Sequence, residues 1–84
     1  MNIFRKIDEH SDLVNRMADK LDLDLGTEMV DHHISAEGYR TAVMRCTRCD
    51  SVDQCKGFLA EGGHADHAPE YCRNKGLLNA LVTG

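Results

Sequence analysis

The chain has 84 residues, of which 42% are hydrophobic and 29% charged, with four cysteines, no tryptophan and a formal net charge of -4. This length predicts a single domain over residues 1–84, and the balanced composition argues against disorder and low-complexity structure. An acidic chain with two tyrosines and two phenylalanines lacks the basic, aromatic footprint of a nucleic-acid-binding protein, so DNA and RNA are not expected partners.

The hydropathy pattern gives no sign of a membrane protein. No stretch approaches the roughly 20 consecutive apolar residues of a membrane-spanning helix. Charged residues interrupt the first ten positions, where a signal peptide needs an apolar core. We therefore expect a cytoplasmic protein with no membrane contact. In that reducing compartment, cysteines of a small chain serve more often as metal ligands, redox thiols or core residues than as permanent disulfides.

The N-terminal half shows helical periodicity. Apolar residues at positions 7, 14, 17 and 21 predict an amphipathic helix over about residues 2–22. A short second helix should follow, with Asp22 or Asp24 as its N-cap and an end near His32 and His33. Ser35 then marks the start of a third helix, which should stop around Cys46.

The C-terminal half predicts two further helices. Asp50 or Ser51 is a natural N-cap for a helix that carries Cys55, Phe58 and Leu59, and the Gly62-Gly63 pair should end it. Pro69 suits the first position of a last helix, which would hold Cys72, Leu77, Leu78 and Leu81. With no strand signal, the expected fold class is all-α, a small bundle of four or five short helices whose C-terminal half is rich in cysteine.

The clearest candidates for metal ligands or redox thiols in this sequence are its four cysteines, Cys46, Cys49, Cys55 and Cys72. The first pair is three residues apart at a predicted helix end, where a turn points both sulfurs the same way. Cys55 and Cys72 are each predicted about one turn inside a helix, where the dipole favours a thiolate. Basic residues adjoin the four cysteines and would balance thiolate charge: Arg45, Arg48, Lys56 and Arg73.

Four thiolates are a complete ligand set for a tetrahedral zinc or for an iron–sulfur cluster, and the residue pattern leaves both open. Two metal-free alternatives also stand. The cysteines, Cys46 and Cys55 above all, could be small core residues, or they could pair as disulfides in one of three connectivities. A Cys46–Cys49 redox switch is less favoured because the strand-to-helix context of thioredoxin-like sites is missing.

The remaining polar residues offer fewer candidates. His64 and His67 precede Cys72 in a polar loop, and either could replace a cysteine as a ligand, although solvated loop positions are the more common explanation. The sequence contains no glycine-rich phosphate loop, nucleophile elbow or metalloprotease motif. Since a small helical bundle also leaves little room for a substrate cleft, we do not expect an enzyme.

Three stretches of the chain carry a family resemblance. These are Val43–Cys49 with a C-T-x-C step, Cys55 followed by Phe58 and Leu59, and Ala68–Asn74 with a P-x-[FY]-C-x-N step. Together they resemble an uncharacterised family of short alphaproteobacterial proteins, a domain of unknown function. The resemblance implies a small helical bacterial protein and supplies no activity.

The leading hypothesis is therefore a small helical protein whose four cysteines hold an iron–sulfur cluster or a structural zinc, in a redox or structural role. The alternative hypothesis is a metal-free interaction module with buried or disulfide-paired cysteines. In either case the expected partner is another protein.

Overall fold

The apolar periodicity of the sequence produces five helices in the computed structural model, which describes residues 3–83. In chain order they are α1 (Ile3–Lys20), α2 (Leu25–Val30), α3 (Ala36–Thr47), α4 (Val52–Ala60) and α5 (Lys75–Thr83). No β-strand occurs within these residues. The all-α prediction is confirmed. The predicted start of the first helix, residue 2, lies outside the described residues.

Helix ends follow the cap residues that the sequence offered. The Asp24 carboxylate accepts the Thr27 backbone N–H, and the Ser35 hydroxyl accepts the Gly38 backbone N–H, as N-caps do. Gly62 and Gly63 follow α4 with φ angles of 72° and 75°, a left-handed conformation that glycine adopts without steric cost. The predicted boundaries of α2, α3 and α4 are thus confirmed to within a residue or two.

The first helix ends slightly earlier than predicted. Asp22 has a φ of 60°, and the Leu23 N–H donates to the Ala18 carbonyl, five residues back, at 2.9 Å. This arrangement closes a helix with a left-handed residue and satisfies a carbonyl that would otherwise be unpaired. Helix α1 therefore stops at Lys20 rather than at residue 22.

The last helix begins later than predicted. Two successive turns occupy the segment after Pro69. In the first, the Cys72 N–H donates to the Pro69 carbonyl, and in the second, the Lys75 N–H donates to the Cys72 carbonyl. Helix α5 starts only at Lys75. Cys72 consequently lies in a turn before the helix, and the prediction that placed it inside the helix is wrong.

Helix α1 is the centre of the packing. It packs mainly against α3 and also against α4. The core is formed by one face of α1 and the residue just after it, by one or two residues from each other helix, and by one from the loop before α5: Leu13, Val14, Met17, Ala18, Leu21, Leu25, Ala42, Val43, Leu59, Ala68 and Leu78. Because every other helix depends on α1 or its neighbours for burial, their relative positions are set by this shared core.

A buried lysine at the end of α1 donates hydrogen bonds to the C-terminal end of α4 and the loop after it. Lys20 is 8% exposed, and its Nζ donates to the backbone carbonyls of Phe58 and Gly62 at 2.5 and 2.9 Å. The ammonium also lies 4.4 Å from the centre of the Phe58 ring, within the range of a cation–π interaction. These contacts satisfy the Phe58 carbonyl near the C-terminus of α4, where helix carbonyls lack partners, and the Gly62 carbonyl in the loop that follows. Among residues 3–83, no helix combines the length and apolar character needed to cross a bilayer.

Candidate metal centre

The fold brings all four cysteines to the wall of one cavity. Cys46 lies in the last turn of α3, Cys49 just beyond that helix, Cys55 in the first turns of α4, and Cys72 in the turn before α5. The apolar part of the wall comes from α1 and α5, and the segment before α5 adds three further residues. These lining residues are Leu13, Val14, Met17 and Leu78, with Tyr71, Arg73 and Asn74. The predicted site residues therefore converge, although they are spread over 27 positions of the chain from 46 to 72.

The cavity is small. Its volume is about 30 Å³, far below the roughly 300 to 1,000 Å³ of pockets that take organic ligands. Each of the four cysteines is half-buried, so the cavity lies near the surface rather than in the core. This geometry favours an inorganic centre or packed thiols over a substrate pocket.

Burial dominates the acidity of the thiols. It raises the pKa of Cys46 to about 12, and the neighbouring Cys55, Cys49 and Cys72 sulfurs add to that shift. Burial also raises the pKa of Cys55 and of Cys72, while the backbone amide of Asn74 acts in the opposite direction on Cys72. These three thiols are neutral at pH 7 in the protein alone. A metal bound here would have to displace their protons.

The helix dipole was predicted to favour the thiolate form of Cys55 and Cys72, but their pKa values are raised. The Cys55 N–H is already bonded to the Ser51 carbonyl at 2.9 Å, and Cys72 lies outside α5. Burial raises the pKa of both thiols, which is opposite to the direction predicted from the helix dipole.

Two sulfurs contact polar groups that the sequence did not single out. The Ser51 backbone N–H donates to Cys49 Sγ at 3.4 Å, and His10 Nδ1 lies 3.4 Å from Cys46 Sγ. His10 is 7% exposed, and burial lowers its pKa, so it is neutral at pH 7. Hydrogen bonds to sulfur are a recognised means of tuning metal–thiolate centres. The sequence places His10 at the edge of the apolar stripe of α1, and it gives no other indication that His10 contacts a cysteine.

The spacing of the sulfurs distinguishes between types of centre. Among residues 3–83, no three cysteine sulfurs lie within 4.8 Å of one another. Around one tetrahedral zinc with Zn–S bonds of about 2.3 Å, all four sulfurs would sit about 3.8 Å apart. An iron–sulfur cluster in which each cysteine binds a different iron separates the sulfurs more widely. The arrangement is therefore not that of a preformed mononuclear zinc site.

The two loop histidines lie outside the wall of the cysteine cavity. His64 Nδ1 lies 3.1 Å from Asp22 Oδ2, and its Nε2 lies 3.3 Å from Asp66 Oδ1. Both carboxylates are exposed, so these contacts stabilise the fold little. Neither His64 nor His67 is among the residues that line the cysteine cavity.

A second group of ligand-type side chains lies at the end of α2. Oxygen and nitrogen atoms of Glu28, Asp31 and His33 lie within 4.8 Å of one another. Asp31 and His33 are exposed, and His33 Nδ1 is 2.9 Å from Glu28 Oε2. The pair explains the placement of these side chains without a metal ion.

This pair predicts a measurable titration. The hydrogen bond and charge of Glu28 raise the pKa of His33 above its ordinary value of 6.5. The pair's small contribution to stability is then fully present below about pH 6.5 and is lost as the pH rises through the folded-state pKa. We expect Glu28→Gln to return the pKa of His33 to its ordinary value in an NMR titration. An unchanged titration curve would contradict the pairing.

Asn74 connects the Cys72 turn to α3. It is 3% exposed, and its Nδ2 donates to the Ala42 carbonyl at 2.8 Å, across 32 residues of sequence. Its backbone carbonyl accepts the Leu78 N–H in the first turn of α5. The Asn74 Oδ1 is buried without a hydrogen-bond partner among the described residues, and Asn74 lines the cysteine cavity. A polar cavity occupant could satisfy this oxygen.

We expect Asn74→Ala to destabilise the protein by about 1 to 3 kcal/mol, because the Ala42 carbonyl would lose its buried donor. Urea denaturation measures this effect. Asn15→Ala is the matched control, since Asn15 donates to the Tyr39 hydroxyl at 3.1 Å but is exposed, and it should cost less than about 0.5 kcal/mol. Equal losses in the two variants would show that burial of Asn74 is not what matters.

The fold and the site together define a small all-α protein with four cysteines on one cavity. A model for a family of unknown function, DUF6455, matches residues 1–84, and the chain belongs to that family. This confirms the resemblance to an uncharacterised family. Neither the search of curated proteins nor the search of solved structures finds a match.

Proposed function

We propose that the protein binds an iron–sulfur cluster through Cys46, Cys49, Cys55 and Cys72 and acts in electron transfer or redox sensing. The observation that carries the proposal is the convergence of these four cysteines, from separate segments, on one cavity with a mostly apolar wall. Four thiolates are a complete ligand set for a cluster. The apolar wall would limit solvent access, which controls the reduction potential.

The spacing of the sulfurs favours a cluster over a single zinc ion. Three or four sulfurs within about 3.8 Å of one another would be expected for a structural zinc, and among residues 3–83 no three cysteine sulfurs lie within 4.8 Å of one another. A cluster would supply one-electron chemistry here, with redox partner proteins as the source and the acceptor of the electron. The chain's own groups would then tune it through the Ser51 N–H and the His10 ring.

The cellular setting proposed for this function is the cytoplasm. Its reducing conditions would keep the thiols available for cluster assembly. The role requires a protein partner and no substrate pocket, and the small volume of the cavity agrees with a role other than enzyme catalysis.

The test is anaerobic purification followed by an absorption spectrum, by iron, sulfide and zinc analysis, and by thiol titration under denaturing conditions. Iron and sulfide with broad visible absorbance would support the cluster. Zinc without colour would contradict the cluster and indicate a zinc centre that forms when the sulfurs close in. Neither metal with four titratable thiols would contradict both.

A metal-free interaction module is the second candidate, and one observation favours it. Cys46, Cys55 and Cys72 are half-buried and pack against the hydrophobic core, as small apolar residues do. Their raised pKa values agree with thiols that stay protonated. Four titratable thiols without metal would support this candidate, whereas missing thiols would indicate disulfides.

A further inference from the structure

A basic cleft adjoins the cysteine cavity on its Cys72 side. Its volume is about 500 Å³, within the range of small-molecule binding sites. Four cationic side chains line it: Arg45 in the last turn of α3, Arg48 just after that helix, Arg73 in the turn before α5, and Lys75 at the start of α5. Tyr71 and Cys72 complete the wall toward the cavity. We name these four cationic residues, with Tyr71 and Cys72, the basic cleft.

The charge of the basic cleft is opposite to that of the whole chain. The protein carries 14 acidic and 10 basic residues, yet four of those ten basic residues line this one cleft beside a single carboxylate, Glu70. Since like charges repel, clustered cations in an acidic protein are unfavourable unless something anionic offsets them.

The carboxylates of the protein offset this charge only in part. Lys75 pairs with Glu70 at 2.7 Å, and Arg73 pairs with Asp50 at 3.7 Å. Both carboxylates are more than nine-tenths exposed, so these pairs are weak and open readily. Within residues 3–83, Arg45 and Arg48 form no ion pair. Two guanidinium groups are thus available to a ligand.

We infer that the basic cleft binds the phosphate group of a small molecule, or free phosphate. Guanidinium groups present planar pairs of N–H donors that match phosphate oxygens, and several of them around one cleft suit a doubly charged oxyanion. The first turn of α5, which contributes Lys75 and Gly76 to the wall, adds positive potential at its N-terminus. The inference goes beyond the proposed function and does not depend on the cysteines holding a metal.

Isothermal titration calorimetry of the purified protein, at constant ionic strength, tests this binding with two probes. Inorganic phosphate represents the free anion, and glycerol 2-phosphate represents a phosphorylated small molecule. Saturable binding of either probe supports the inference, and the tighter probe identifies the source of the phosphate group. Heat that does not saturate with either probe, or that sodium chloride reproduces, would overturn it.

The double variant Arg45→Gln/Arg48→Gln should weaken phosphate binding by about tenfold or more, since each charge-assisted hydrogen bond contributes strongly to affinity. Both side chains are exposed, so the fold should persist. Arg40→Gln is the matched control, because Arg40 is also exposed on α3 but lines a different surface with Glu37 and Met44. Equal weakening by the control would show non-specific charge attraction and overturn the inference. Lys75→Gln gives an independent check from the opposite wall.

Discussion

We expect Cys72→Ser to remove the visible absorbance that the proposed iron–sulfur cluster would give and to lower the iron that the cluster would supply by more than about tenfold. The hydroxyl of serine is a poor replacement for a thiolate ligand of iron, and a cluster with one cysteine missing is readily lost. Cys72 is the cysteine that the C-terminal segment contributes to the cavity wall. Metal analysis and absorption spectra make the measurement.

The control for this variant is Thr47→Ser. Thr47 lies between Cys46 and Cys49, and its hydroxyl donates to the Met44 carbonyl at 2.6 Å, a bond that serine can also make. The control should keep both the iron and the colour. Full iron content in Cys72→Ser would contradict four-cysteine ligation, and circular dichroism would show whether any loss arises instead from unfolding.

We expect Leu78→Ala to destabilise the protein by about 2 to 5 kcal/mol. Leu78 is 1% exposed and is the largest fully buried side chain among the described residues. It lines the cysteine cavity, so its truncation enlarges an existing void that the surrounding helices cannot easily close. Against a typical total stability of roughly 5 to 15 kcal/mol, this loss leaves a marginal fold.

Thermal and urea denaturation of the protein as purified measure this effect. In a domain of this size each kcal/mol moves the melting temperature by about 4 to 8 °C, so a decrease well above 8 °C is expected. Leu77→Ala is the matched control on the same helix, since Leu77 is only partly buried. A loss in Leu78→Ala no larger than that of the control would show that the core tolerates the void.

Some features of the fold follow from interactions between residues close in sequence. The caps Asp24 and Ser35 bond to backbone amides three residues later, and the glycines at 62 and 63 need only their own freedom of φ. Such signals are readable because the groups that interact lie within about one helical turn. The burial of one face of α1 follows from periodicity in the same way.

Other features depend on segments that are distant in sequence. The side chain of Asn74 donates a hydrogen bond to the Ala42 carbonyl, 32 positions away. Asn74 belongs to the segment in which two turns delay the start of α5, so that Cys72 lies outside that helix. The contact of His10 with Cys46 joins residues 36 positions apart. Burial by all surrounding helices, rather than any local dipole, raises the pKa values of the thiols.

The sequence by itself determined the helical class, most helix ends and the four cysteines as the residues of interest, because periodicity, caps and residue chemistry are local properties. Only the tertiary structure decided that the four cysteines line one cavity, that within residues 3–83 no three of their sulfurs lie within 4.8 Å of one another, and that Arg45 and Arg48 meet Arg73 and Lys75 in the basic cleft. The physical reason is that these arrangements arise from the packing of α1, α3 and α5 around a shared core, and no short stretch of sequence contains that packing.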